Sequence, residues 1–418
     1  MAGPRVLILA ATTAYQTDDL VAAAEALGVE PVLAQDRCHI LAEDWPKGAL
    51  AIDFRDPARA ARQVIEHCHS RPIDAVVATD EVTSVIAARL AEALGLRRSP
   101  LASAEASADK RRQREILRAA RLRQPRFELI AANDDPRAAA ARIGYPVVIK
   151  PLSLSASRGV MRADDDAQLL ERAARLRAIV AAPEVEALAT SPDAGDLILI
   201  EEFVAGSELA FEGLMSGGRL DCLACFDKPD PLDGPFFAET LYITPSRLPA
   251  DVLAAVVAEV ERAAAALGID EGPLHAELRL APAPVVLEVA SRSIGGLCGR
   301  VLRFGAGVSL EQVVIAHALG RPVSIERSGS AAGGVLMLPV TEPGVLTGVA
   351  GVEEARAVPG IRDVVITARV GDVMVPLPEG RSYAGFVFAD GASPAEVETS
   401  LRVARRRLSF TVARRLAS

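Results

Sequence analysis

Compact apolar runs and polar, helically periodic stretches alternate from the start of the chain. Val6 to Ala11 is an apolar run read as a buried strand, because the polar stretch from Thr12 to Asp19 behind it offers no cleavage signal. Asp18 opens a helical stretch through Leu27 that Gly28 ends, and Pro31 to Leu33 starts the next strand. The rhythm returns with a helix from Pro57 to His67, a strand from Ile73 to Ala78, and a helix from Glu81 to Leu94 stopped by Gly95. Residues 1–105 therefore read as a small parallel α/β domain.

Ser103 to Arg123 reads as one helix carrying Lys110, Arg111, Arg112, Arg114, Arg118 and Arg121, a basic face that taken alone belongs in solvent. A short helix from Pro136 to Ile143, a Gly144-Tyr145-Pro146 turn and the strand Val147 to Pro151 follow, then a helix from Asp165 to Val180 and a strand from Leu197 to Ile200. Strands near 208–226, a Pro-rich loop at 229–235, a helix from Ala250 to Leu267, a hairpin from Leu274 to Val289 and a helix from Leu310 to Leu319 complete the middle. Ser328 to Gly334 is small and reads as a linker to a C-terminal β-rich domain.

At 418 residues the chain has room for two or three domains with ample core, and its 50% hydrophobic content excludes a disordered polymer. No stretch reaches the roughly 18 uncharged apolar residues of a spanning helix, so no membrane role is expected. The 46 Lys and Arg against 55 Asp and Glu give a net charge of −9, which disfavours nucleic acid as a partner. Five cysteines (Cys38, Cys68, Cys222, Cys225, Cys298) are an odd, sparse set that points to a reducing, cytoplasmic setting. Cys222 and Cys225 form a lone CxxC and read as two buried thiols, and His67-Cys68-His69 reads as a solvated helix end. Neither GxGxxG nor GxxxxGK[ST] occurs in the first domain, which argues against a nicotinamide dehydrogenase or a P-loop enzyme.

The hairpin carries the most chemistry. Alternation puts His275, Glu277 and Arg279 on one strand face. If residues 281–284 close the turn, Leu280 faces Val285 and Glu277 falls directly opposite Glu288. Carboxylates opposed in this way lie about 5 Å apart at Cβ and repel unless something positive stands between them. Either a divalent cation does so, magnesium being favoured by hard oxygen donors, or the pair is a solvated one neutralised by Arg279 and Arg292.

Lys110, Lys150 in Val-Val-Ile-Lys-Pro, the small-residue loop Ser153 to Gly159, the segment Leu199-Ile200-Glu201-Glu202-Phe203-Val204-Ala205-Gly206-Ser207-Glu208, and Glu277 with Glu288-Val289-Ala290-Ser291-Arg292 follow in a distinctive order. That ordered set resembles the ATP-grasp superfamily, most closely its carboxylate-amine ligases of the L-amino-acid ligase (dipeptide synthetase) type. The resemblance implies an ATP-grasp fold combining α/β and α+β parts: an N-terminal parallel α/β domain (1–105), an ATP-grasp domain (106–325, with a lid subdomain at about 125–204 and a large subdomain at about 205–325) and a C-terminal β-rich domain (326–418).

The same resemblance implies roles for particular residues. Lys110 and Lys150 would contact the α- and β-phosphates, and Ser155, Ser157 and Gly159 would belong to a loop closing over the triphosphate. Glu201, Glu202, Phe203 and Val204 would form the hinge reading the adenine edge, and Glu208 would accept from the ribose hydroxyls. Glu277 and Glu288 would hold magnesium, with manganese as the alternative; the asparagine common two positions after the second glutamate is Ala290 here, so water replaces it or a second metal is held more weakly. Arg292 would stabilise the transferred phosphoryl or a substrate carboxylate, His275 would lie near the acyl phosphate, and Gly295 and Gly296 would let substrate approach. Lys228, Glu239 and Arg303 are further candidates for the substrate pocket or equally surface charges.

The implied reaction joins a small-molecule carboxylate, an amino acid first of all, to an amine. The carboxylate attacks the γ-phosphate of ATP, and the amine then displaces phosphate from the resulting acyl phosphate. Within the superfamily the alternative is a phosphoribosylglycinamide-synthetase-like or carboxylase-like ligase acting on a nucleotide precursor; outside catalysis it is a nucleotide binder that has lost turnover. A homodimer is the default expectation for a soluble oligomer.

Overall fold

The computed structural model describes residues 3–36, 49–186, 195–380 and 382–414, so Cys38 lies outside the described residues. The first domain is a parallel sheet in the order Leu50–Ala51, Glu30–Gln35, Arg5–Leu9, Ala75–Ala78. Its central strand is wholly buried, as the apolar run requires of a strand covered on both faces. Helices Thr17–Ala26, Pro57–Cys68 and Glu81–Leu94 cover it, the last started by an Asp80–Thr83 capping box and ended by left-handed Gly95. The carboxyl ends of these strands, where α/β sheets place their ligands, point at the rest of the protein.

The segment read as one arginine-rich helix is two, Leu101–Ala108 and Lys110–Ala119. Asp109 breaks it by adopting extended backbone and accepting hydrogen bonds from the amides of Arg111 (2.9 Å) and Arg112 (3.2 Å), an N-cap that outcompetes helix continuation. Lys110 thereby becomes the first residue of a helix. Gln113, Arg114 and Leu117 are buried, so Arg114 leaves the solvated face on which Arg112, Arg118 and Arg121 remain exposed.

An antiparallel four-stranded sheet (Phe127–Ala131, Leu197–Glu202, Val147–Pro151, Met161–Ala163) with helices Arg137–Ile143 and Asp166–Val180 on it occupies the stretch expected to be the lid, and is called the lid. Beyond it an eight-stranded antiparallel sheet runs in the order Pro284–Ala290, Gly272–Leu280, Glu208–Ser216, Arg219–Lys228, Leu241–Thr244, Ala332–Pro339, Tyr383–Gly391, Ile361–Ile366. Helix Ala250–Leu267 packs Val256, Val260 and Leu267 against Phe211, Leu274 and Val289 on one face. The opposite face buries Phe226, Phe386 and Phe388 toward Val6, Ile8 and Val77 of the first domain.

The expected linker is only partly one. Ala332 to Gly334 belong to a buried strand of the large sheet, which therefore continues across residue 326. Gly334 is small because helix Pro394–Arg407 presses on it: a Cβ there would meet Val397 Cγ1 at 2.6 Å and Leu401 Cδ1 at 3.1 Å. Cys225 is buried as expected, but Cys222 is exposed. His67 and His69 are exposed around buried Cys68, as a helix end requires. Among the described residues no helix is long and apolar enough to cross a membrane.

Asp109→Ala should remove the cap that separates the two helices. We expect a loss of about 1 kcal/mol in a denaturant titration, with the unfolding slope unchanged; an unchanged midpoint would show that the break does not depend on this carboxylate.

Candidate active site

The ends of the parallel strands, the lid and the large sheet enclose a cavity of about 970 Å3. One face of four neighbouring strands furnishes its charged floor. Register places Lys228 beside Glu208 and Glu208 beside Arg279, sets Glu212 beside His275, and opposes Glu277 to Glu288. The hairpin turn is one residue shorter than expected, since Leu280 pairs with Pro284, but a bulge between Glu277 and Leu278 restores the Glu277–Glu288 pairing.

Charges on this floor are matched. Lys228 is buried beneath the cavity wall and bonds Glu208 (2.8 Å) and Glu239 (2.7 Å), with Glu277 at 3.5 Å. Burial opposes its positive charge, but the three carboxylates outweigh that and raise its pKa well above the ordinary value. Arg279 donates to Glu208 (2.9 Å) and to the Val204 carbonyl (2.7 Å). Burial would raise Glu277, yet Lys228, His275 and Arg292 hold it well below the carboxylate range. Glu239 is pushed up, mainly by burial.

The phosphate-facing candidates converge as a group. Lys110 Nζ donates to the Leu154 carbonyl (2.9 Å) and to Glu288 (3.2 Å). Lys150 pairs with Glu201 at 2.5 Å, and the other oxygen of Glu201 takes Arg114 at 2.5 Å. Glu201 is therefore wholly engaged in holding two cations and is 2% exposed. Ser155 and Ser157 line the cavity; Gly159 lies behind them, its N–H bonded to the Pro378 carbonyl. Glu202 turns outward to Arg126, while Phe203 is flanked by the guanidiniums of Arg162 (4.2 Å) and Arg279 (4.9 Å). Val204, Glu208, Gly295 and Gly296 also line the cavity.

Arg292 is tied to Glu81, which opens a helix of the first domain, and donates to the Ser293 carbonyl at 2.8 Å. His275 stands with Nδ1 3.3 Å from Glu212 and Nε2 3.8 Å from Glu277, both of which outweigh burial and raise its pKa. Arg303 does not reach the cavity: its guanidinium bonds the carbonyls of Arg300 and Leu302, so it is no pocket residue. Sequence reasoning missed Arg114, Glu81 and Glu212. Glu81 was findable, since it follows a parallel strand at its ligand-facing end. Glu212 was findable from the alternation that places it on the face of Glu208. Nothing local marks Arg114, because the break at Asp109 sets which way it points.

Burial alone would raise Glu201, but Arg114 and Lys150 outweigh it and hold it below its ordinary 4.5. A lowered folded pKa stabilises above the unfolded value and is lost as pH falls through the folded one. Glu201→Gln should therefore cost about 3 kcal/mol at neutral pH by stranding two buried cations. Below pH 4.5 its stability should change less with acidification than the parent's, as followed by thermal unfolding across pH.

Comparison with known proteins agrees with this geometry. Residues 21–97 match the ATP-grasp N-terminal domain, residues 143–301 the ATP-grasp domain, and residues 336–413 the L-amino acid ligase C-terminal domain 2. The alanine–anticapsin ligase of Bacillus subtilis (strain 168) is 26% identical over 247 residues, covering 56% of this chain and 51% of that protein. The D-alanine–D-alanine ligase of Aromatoleum aromaticum is 33% identical over 167 residues, 38% of this chain and 48% of that protein. The chain thus spans about half the length of these curated relatives. The crystal structure of L-amino acid ligase from Bacillus licheniformis superposes with a TM-score of 0.83 at 27% identity, covering 99% of this chain and 100% of that one. Phosphoribosylglycinamide synthetase from Anaerococcus prevotii superposes with a TM-score of 0.69 over 98% of this chain and 100% of that one, and at 15% identity it shares the fold alone. In order along the chain, then, stand matches to an ATP-grasp N-terminal domain, an ATP-grasp domain and an L-amino acid ligase C-terminal domain, on a fold shared with the L-amino acid ligase structure.

Proposed function

We propose that the protein joins the carboxylate of an amino acid to an amine at the expense of ATP, releasing ADP and phosphate. The observation that carries this reading is the pairing of Glu277 with Glu288 on the cavity floor, with Lys110 bonded to the latter and Lys150 on the adjoining lid strand. A phosphate chain needs positive groups along it, and these supply them from two sides. Acidic and basic side chains hold one another in place here, so their positions are set before nucleotide arrives.

The donor set fits a hard divalent cation. Glu277 and Glu288 are opposed and each 29% exposed at the side chain, so both keep oxygen available to the cavity. Magnesium held there would neutralise charge on the β- and γ-phosphates during phosphoryl transfer. Lys110 would exchange its bond to Glu288 for a phosphate oxygen, and Lys150 would offer its remaining N–H donors while Glu201 keeps it charged and oriented. Arg292, held by Glu81, would receive either the substrate carboxylate or the transferred phosphoryl group. Phe203 and the backbone around Val204 would bound the adenine.

Amide formation also requires a proton acceptor for the amine. His275 is held toward its protonated form by two carboxylates, which makes it the poorer acceptor. Glu239, raised by burial and lining the cavity, is the better one. Without side chains, Gly295 and Gly296 would leave room for the substrate beside Arg292.

The reading is tested by ADP release over pairs of amino acids and small carboxylates, with mass spectrometry for an amide product. ADP release that requires both partners, is abolished by EDTA and is restored by magnesium or manganese is the expected result. Glu288→Gln should lower turnover by at least about 100-fold with the circular dichroism spectrum unchanged; undiminished activity would refute the assignment.

A further inference from the structure

The loop that covers the cavity does not rest in a relaxed conformation. Leu154 (φ 87°), Ala156 (φ 55°) and Ser157 (φ 57°) all lie in the left-handed region, which side chains other than glycine's disfavour. A loop of this kind keeps its shape only if neighbours impose it. At its start, Lys110 bonds the Leu154 carbonyl at 2.9 Å. At its end, the Gly159 N–H bonds the carbonyl of Pro378 at 2.9 Å, and Pro378 belongs to the C-terminal domain.

Glu379, the next residue, takes both N–H groups of Arg175, at 2.6 and 2.9 Å. Arg175 lies on lid helix Asp166–Val180, the helix that packs on the loop: a Cβ at Gly159 would meet Leu176 Cδ1 at 3.0 Å. Loop and helix thus dock on one turn of the C-terminal domain. A few residues on, Ser382 and Tyr383 line the cavity, and the Tyr383 N–H bonds the Tyr15 hydroxyl of the first domain at 3.0 Å. The same stretch of chain therefore touches the lid, the cavity and the N-terminal domain.

We propose that Pro378 and Glu379 form a latch that holds the lid shut over the acyl phosphate, so that the amine rather than water attacks it. This inference rests on the ligase reading above. Attack by amine on the acyl carbon forms the C–N bond, expels phosphate and loses one proton from nitrogen. Attack by water instead returns the free acid and phosphate, with ATP consumed for nothing. A closed lid excludes water from that carbon. Arg175 and Glu379 are positioning residues here: neither lines the cavity.

Charge exchange tests the latch. In Glu379→Arg and Arg175→Glu the pair becomes repulsive, whereas the double variant restores it with reversed sign. We expect each single variant to weaken MgADP binding roughly fivefold in isothermal titration calorimetry, and to release several ADP per amide where the parent releases about one. The double variant should recover both. Single variants that keep the parent's affinity and ADP-to-amide ratio, or a double variant no better than the singles, would overturn the latch. A parent that forms no amide with any pair would overturn the ligase reading instead, and the nucleotide affinities would still decide whether the latch exists. Unfolding midpoints of all three variants separate the effect from general destabilisation, which would alter stability without moving the product ratio.

Discussion

Removing charge from water is so costly that a buried ion survives only beside its counterion, and the working face of this protein is organised by that constraint. Three adjacent strands place lysine, glutamate, arginine and histidine in rows, each row pairing opposite signs across the sheet. Lys228 answers three carboxylates at once, and Glu201 answers two cations. Glu277 against Glu288 is the row that pairs like charges, and each is answered from outside the row, Glu277 by Lys228 and His275 and Glu288 by Lys110. That like-charged row is where the proposed cation would sit.

The partners of these charges come from every part of the chain. Glu81 of the first domain holds Arg292, Arg114 of the linking helix holds Glu201, and the C-terminal domain holds the loop that ends at Gly159. Because the large sheet runs without interruption from the hairpin of Glu277 and Glu288 to strand Ile361–Ile366, the C-terminal domain is fixed relative to the site and not merely tethered to it. Its packing is close, with Gly334 pressed against helix Pro394–Arg407.

Most secondary structure was legible because its signals are local. Helix Glu81–Leu94 begins at its Asp80 cap and ends at Gly95, and helix Ala250–Leu267 ends at Gly268, since capping involves only a few neighbouring residues. The failures lie where a local preference was weak or was overruled at a distance. Asp109 is equally at home inside a solvated helix or as a cap, and the cap prevailed. Ser328 to Gly334 looks like a linker because it is small, yet its last residues are small in order to be packed against.

By itself the sequence determined most of the strand and helix order and the opposition of Glu277 to Glu288, because periodicity and pairing are short-range properties. Only the tertiary structure decided which charges those residues meet: that Arg114 points inward to Glu201, that Lys228 lies under the floor, that Arg303 is turned away and that Glu379 reaches Arg175. Such pairings join positions far apart in the chain, and Coulomb attraction depends on distance through space, which residue spacing does not encode.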